Sequence, residues 1–246
     1  MQLGTVKDGG TMYVLVACEE SQEVCKAFRA KGHTAFSCDI QECSGGRPEW
    51  HIRENVTYLL NGNVDFITCD GASHYVNKWD MIIAFPPCTY LTTAATRAHS
   101  LGTYTEEQIR KRTYKRIEAM KFFLSFMEAD CKKIAIENPR GVMGSCYRAA
   151  DQIIQPYYFA ESVNDEVNYQ MKSTCLWLKG LPKLKTNDLP KPSPVRTYTT
   201  IHGKKKNVYF AENHAVINGR KNGRNDAEAR SKTFPGVAKA MAEQWG

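Results

Sequence analysis

No apolar run in the sequence reaches the roughly 18 residues that crossing a bilayer requires, and the opening stretch MQLGTVKDGG carries no basic-then-apolar signal pattern. A soluble, cytoplasmic protein without a membrane partner is therefore expected. Cys-x-x-Cys pairs are also absent. The nine cysteines, at positions 18, 25, 38, 43, 69, 88, 131, 146 and 175, are an odd number without paired spacing, which argues against a disulfide framework or a zinc ribbon. Cys38, Cys43 and His51 come closest to a metal-binding set, but scattered cysteines usually serve as small buried hydrophobes, so no metal is expected. The sequence has no internal repeat. What it does have is 246 residues, 42% of them hydrophobic, enough to bury a full core as one domain with a small appendage.

Residues 12–17 (MYVLVA) are β-branched and apolar, residues 21–30 read as a helix before Gly32, and a second apolar run, Thr34–Cys38, ends at Asp39. An acidic residue about 20 positions after the first strand is how a nucleoside-binding α/β fold presents a carboxylate to the ribose hydroxyls. A helical stretch at 52–60 then leads to a strand at 64–68 that ends at Asp70. Met81–Ala84 runs into Phe85-Pro86-Pro87-Cys88. The strongest helix signal follows: Thr105-Glu106-Glu107-Gln108 forms a capping box, and Ile109, Ile117, Met120, Phe123, Leu124 and Met127 recur at helical spacing. Residues 133–136 form another short strand, ending at Glu137-Asn138-Pro139, and residues 226–245 read as a helix interrupted by Pro235. Strands alternating with helices imply an α/β, Rossmann-like, mostly parallel sheet covered on both faces. Ligands collect at the carboxyl ends of such strands. Asp39, Asp70, Cys88 and Glu137 are all expected there.

The formal charge of +7 is unevenly placed: residues 179–232 hold thirteen Lys and Arg against four Asp and Glu, a local +9 that leaves −2 for the rest. After about residue 181 the composition shifts to proline, lysine, glycine and asparagine, the mark of a loop-rich appendage. The expected division is a core at 1–180, a small basic segment at 181–225 and a C-terminal helix at 226–246 that returns to the core. A basic segment suits a polyanion, because each neutralised phosphate releases counterions; the alternative is a solvated basic loop.

Two short stretches carry the chemistry. Residues 82–88 (IIAFPPC) and 136–139 (IENP) place Cys88 and Glu137 at strand ends 49 positions apart with a helix between them. With Asp39 and Asp70 ahead of them, and FPGVAKAMAEQW at 234–245 closing the chain, the sequence resembles the cytosine-C5 DNA methyltransferase family over roughly 12–180 and 226–245. VLVACEES, PPCTYL, IENPRGVM and TCLWLKGLP are similar to a compact branch frequently encoded by phages, which implies a bacterial or phage-infected host cell.

The resemblance implies a class I methyltransferase fold, S-adenosyl-L-methionine as methyl donor, and duplex DNA as partner with the target base flipped out. Cys88, presented by Pro87, would attack carbon 6 of cytosine, while Glu137, beside Asn138, would stabilise the ring at nitrogen 3, so that carbon 5 becomes nucleophilic. Ala17, Cys18, Glu19, Asp39, Ile40, Asp70 and Pro86 would contact the donor. Arg97, Arg140, Arg196, Lys204, Lys205, Lys206, Arg220, Lys221 and Arg224 are the candidate DNA contacts, and residues 89–103 would close over the base as a lid. The chain departs from the family in having Ala17-Cys18-Glu19-Glu20-Ser21 for a glycine-rich first loop, Ala84-Phe85 for Gly-Gly, and Thr89 for Gln. Its Gln-x-Arg-x-Arg motif has no obvious counterpart, Arg140 and Arg196 being the candidates. Alternatives are a pyrimidine-C5 enzyme acting on RNA or a free nucleotide, and an inactive DNA-binding regulator. Amino-group methyltransferases place other residues where Phe85 and Cys88 stand.

Overall fold

A computed structural model describes residues 10–93, 104–194, 196–200, 203–208 and 232–246. The molecule is α/β, built on a seven-stranded mixed sheet compatible with a Rossmann-like fold. Its strands are β1 (Tyr13–Ala17), β2 (Thr34–Cys38), β3 (His51–Ile52), β6 (Met81–Ala84), β7 (Lys133–Asn138), β8 (Gln152–Ile154) and β9 (Thr174–Lys179). They lie in the order β3-β2-β1-β6-β7-β9-β8. From β3 to β7 every pairing is parallel; β9 runs antiparallel to both β7 and β8. The chain moves outward from β1 to β3, then returns to build the other half from β6. The strand order therefore reverses between β1 and β6, and the crevice outside their carboxyl ends is where a sheet of this type binds ligands.

Both faces of the sheet are covered because side chains alternate along each strand. Val14 and Val16 of β1 face one way, packed with Phe28 of α1 (Glu23–Ala30) and with Val237, Met241 and Trp245 of α4 (Pro235–Trp245). Leu15 and Ala17 face the other way, packed with Phe123 and Phe126 of α2 (Glu106–Glu128) and with Trp79 and Trp177. Burying each such large side chain contributes roughly 1.5–3 kcal/mol. The capping box at the start of α2 is present, with the Thr105 hydroxyl accepting from the Gln108 N–H and the Gln108 side chain accepting from the Thr105 N–H.

Several expectations are corrected. Residues 52–60 are not a helix: β3 ends at Ile52 and a single 3-10 turn covers Val56–Leu59. The strand at 64–68 does not join the main sheet. β4 (Val64–Ile67) pairs antiparallel with β5 (Ser73–Val76) as a separate hairpin. Its alternation explains this, since Asp65 and Ile67 are exposed while Phe66 is buried, whereas a central parallel strand is apolar on both sides. Pro235 does not interrupt the last helix; it occupies the first turn, where its missing N–H costs nothing. Residues 226–231 lie outside the described residues. The apolar stripe of α2 is buried only in its second half, and Ile117 is 46% exposed. β8 and β9 were not expected, and neither was α3 (Met143–Cys146). The basic segment contains a hairpin, β10 (Arg196–Thr199) with β11 (Lys205–Val208). Among the described residues no helix is long and apolar enough to cross a membrane.

Candidate functional site

Two loops meet beyond the carboxyl ends of β6 and β7. In the first, Pro86 is buried and Pro87 exposed, and the half-buried Cys88 opens a tight turn in which its carbonyl accepts from the Leu91 and Thr92 N–H groups at 2.9 and 3.1 Å. Two successive prolines fix φ ahead of the thiol and reduce its freedom. The second loop leaves β7 through Glu137, Asn138 and Pro139. The buried Asn138 side chain donates Nδ2–H to the Pro86 carbonyl at 2.7 Å. Further along, the Val142 N–H donates to Leu91 O at 2.8 Å, Thr92 bridges Gly141, and the Thr93 N–H and hydroxyl both donate to Arg140 O. The two loops are thus one bonded unit.

Glu137 lines a pocket with Phe85, Lys172, Thr174, Phe234 and Val237. Its carboxyl accepts from the Thr174 hydroxyl. Burial raises its pKa above the ordinary carboxylate value, against the opposing pull of the Lys172 charge and the Thr174 hydrogen bond. The Lys172 ammonium also lies 5.4 Å from the centre of the Phe234 ring, and with Lys232 and Thr233 on the same lining the pocket holds an acid, two lysines, two threonines and two aromatic walls. Lys172 and Thr174 were missed from sequence. The legible signal was two polar residues spaced by two at the mouth of the apolar strand TCLWLK.

At the switch point, Ala17 ends β1, paired with Cys38 and Ala84. Cys18 follows in the left-handed region at φ 59°, its N–H bonded to Cys38 O at 2.7 Å. Burial, with Asp39 and Cys38 adding, pushes its thiol far up, so it stays neutral. Asp39 follows β2, with Oδ1 accepting from the Gln41 N–H at 2.9 Å, and Ile40 next to it is 74% exposed. The 41–47 loop is held against residues 20–22 by the Ser44 N–H, which donates to Glu20 O at 3.0 Å, and by the buried Gln22, which bonds both the N–H and the C=O of Arg47. His51 is buried, with its ring nitrogens bonded to Ser37 Oγ and Gln41 O. No cluster of three His, Cys, Asp or Glu side chains suited to a metal occurs among the described residues.

Glu19 is placed differently from a donor contact. Its buried carboxylate accepts from the Val24 and Cys25 N–H groups at 2.7 and 3.2 Å, capping the amino end of α1. Burial pushes its pKa up to about 7, despite the two N–H bonds that lower it. Because the folded-state value lies above the unfolded one, the stability from this group is full below the ordinary glutamate value of 4.5 and is lost as pH rises through about 7. Wild type should lose about 3 kcal/mol of folding stability over that window relative to Glu19→Gln. Urea unfolding of both proteins at acidic and mildly alkaline pH measures the difference, and parallel profiles would refute it.

Asp70 sits at the tip of the β4–β5 hairpin, where Oδ1 accepts from the Thr68 hydroxyl at 2.6 Å and the Ala72 N–H at 3.2 Å. These bonds hold its carboxyl below the usual range. The hairpin remains tied to the sheet, because the Cys69 N–H donates to His51 O at 2.8 Å. Arg140 is exposed beside the Cys88 loop. Arg196 and Lys206 lie in the β10–β11 hairpin, and Lys204 and Lys205 are exposed on it. Arg97, Arg220, Lys221, Arg224 and residues 94–103 of the expected lid lie outside the described residues. Compared with known proteins, the chain matches no protein-family model and no curated protein.

Proposed function

We propose that this chain methylates carbon 5 of cytosine in DNA, with S-adenosyl-L-methionine as donor, Cys88 as nucleophile and Glu137 as proton donor. The observation that carries this reading is the union of a proline-stiffened cysteine loop with a half-buried carboxyl of raised pKa, the loops bonded through Asn138 and Gly141. Aromatic carbon 5 cannot attack a methyl group until something adds at carbon 6. The Cys88 thiolate forms that carbon–sulfur bond while the Glu137 proton passes to ring nitrogen 3, which leaves electron density on carbon 5. Glu137 becomes an anion in this step, and Lys172 is placed to stabilise it. After methyl transfer a base removes the carbon 5 proton and the sulfur leaves.

The residues at the switch point fit the nucleoside end of the donor: Asp39 would accept from the ribose hydroxyls, with the exposed Ile40 beside the adenine. When bound, the donor supplies the methyl group on a sulfonium centre. At the first loop Glu19 already satisfies the α1 N–H groups, so a ligand carboxylate finds no cap site there, and its amino-acid end would lie against Cys18 and Glu20. A donor at the switch point is supported by the pairing of Ala17, at the end of β1, with Ala84 of β6, the strand that leads into the Cys88 loop.

The test is trapping on DNA containing 5-fluorocytosine with donor present. Fluorine at carbon 5 blocks the final elimination, so wild type is expected to form a denaturant-stable adduct and Cys88→Ser none. An adduct with RNA or a free nucleotide in place of DNA would change the substrate, and no adduct with any of them would overturn the assignment.

A further inference from the structure

We propose that the amino-terminal half of α2, together with Tyr90, is a phosphate-binding surface that grips the DNA backbone immediately beside the Cys88 loop. Residues 110–116, Arg-Lys-Arg-Thr-Tyr-Lys-Arg, form a dense positive run outside the basic segment at 179–232. It converges on Tyr90, two residues from Cys88. The Arg112 guanidinium and the Lys115 ammonium lie 5.8 and 5.7 Å from the Tyr90 ring centre, and Arg116 donates Nε–H to the Tyr90 carbonyl at 3.0 Å. A groove runs between Tyr90 and the helix, lined by Arg110, Lys111, Arg112, Tyr114 and Lys115.

Two features mark this surface as suited to an anion. Arg112 Nε and Arg116 Nη2 are buried yet have no acceptor among the described residues, and buried donors of this kind are normally satisfied. Arg112 and Arg116 also stand one turn apart, a like-charge spacing that destabilises a helix. Lys111 is paired with Glu107 at 2.7 Å, whereas no salt bridge holds Arg110, Arg112, Lys115 or Arg116 among the described residues. Burial lowers the pKa of Arg116, and Arg112 adds to the effect. Phosphodiester oxygens suit these donors, since guanidinium forks bind them in paired hydrogen bonds and each contact releases counterions. Because Tyr90 belongs to the turn that starts at Cys88, phosphates held there would flank the target nucleotide. The choice of DNA rests on the proposed activity; the phosphate grip does not, and it stands even if Cys88 transfers nothing.

The test is fluorescence anisotropy of the full chain on a labelled duplex across a salt titration. Arg112→Gln combined with Lys115→Gln is expected to weaken binding about tenfold and to make the slope of log K against log salt shallower by about 2. The charge-keeping pair Arg112→Lys and Lys115→Arg should retain most of the affinity, and Lys204→Ala with Lys205→Ala measures the β10–β11 hairpin separately. Wild-type affinity and slope in the neutralised variant would overturn the surface. So would a charge-keeping variant as weak as the neutralised one, which would mark a structural effect. Tighter binding of polyglutamate or RNA than of the duplex would overturn DNA as the occupant. Loss of the 5-fluorocytosine adduct with binding that depends on α2 refutes only the enzymatic reading, and an adduct with binding independent of α2 refutes only this one.

Discussion

Glu137→Gln is expected to lower turnover on DNA by about two to four orders of magnitude, the range that general acid catalysis supplies, while duplex binding changes little. Glutamine keeps the size of the side chain and can still bond Thr174, but it has no acidic proton for the ring. The pH dependence makes the role specific. Burial raises the Glu137 pKa, and Lys172 and Thr174 pull it back, so the protonated form persists further toward neutrality than in a free carboxyl. In wild type, kcat/KM should decline as pH rises through this titration, and the variant should lose that decline along with most of its rate. Stopped-time methylation of a duplex, assayed across pH, measures both. A variant with nearly full turnover, or with the wild-type decline intact, would remove Glu137 from the chemistry.

The second large effect concerns a residue that touches no reacting atom. A Cβ at Gly141 would lie 1.8 Å from the Leu91 carbonyl oxygen and 3.0 Å from Thr92 Cα, both of them backbone atoms. No side-chain rotation relieves such an overlap. Gly141→Ala should therefore break the bridge between Gly141 and Thr92, separate the two loops and cost about 1–3 kcal/mol of stability. Displacing the cysteine loop by even about 1 Å should also lower turnover by at least about 100-fold. Gly144, three residues later on α3, has open space where its Cβ would be, so Gly144→Ala should leave activity unchanged and stability equal or slightly higher. Urea unfolding and initial rates on both variants make the comparison. If Gly141→Ala proved as benign as Gly144→Ala, the close packing of the two loops would carry no functional weight.

How far the sequence could be read depended on the length scale of each feature. The capping box at Thr105, the strand ending in Pro-Pro-Cys and the strand ending in Glu-Asn-Pro are local patterns, and each appears where expected. The β4–β5 hairpin was misplaced because a four-residue apolar run does not say which strands it will adjoin. With β4 in a separate hairpin, Asp70 is a turn residue rather than a residue at the edge of the main sheet. Glu19 was read as facing a ligand, but the helix beginning at Glu23 left N–H groups that its carboxylate reaches, and only the conformation of Cys18 and Gln22, both at positive φ, brings it there. Lys172 escaped notice because it precedes a strand that was not recognised. Its proximity to Glu137 follows from β9 inserting antiparallel beside β7.

Taken alone, the sequence determined β1, α1, β2, β6, α2 and β7, the stiff loop carrying Cys88, and the presence of a carboxyl at the end of a later strand, because hydrophobic periodicity and proline act over a few residues. Tertiary structure alone decided which strands are neighbours, that Glu137 shares its pocket with Lys172 and Thr174, and that cations from α2 converge on Tyr90. Those contacts join residues tens of positions apart. Their geometry is set by the burial of both faces of one sheet at once, a quantity that no local window contains.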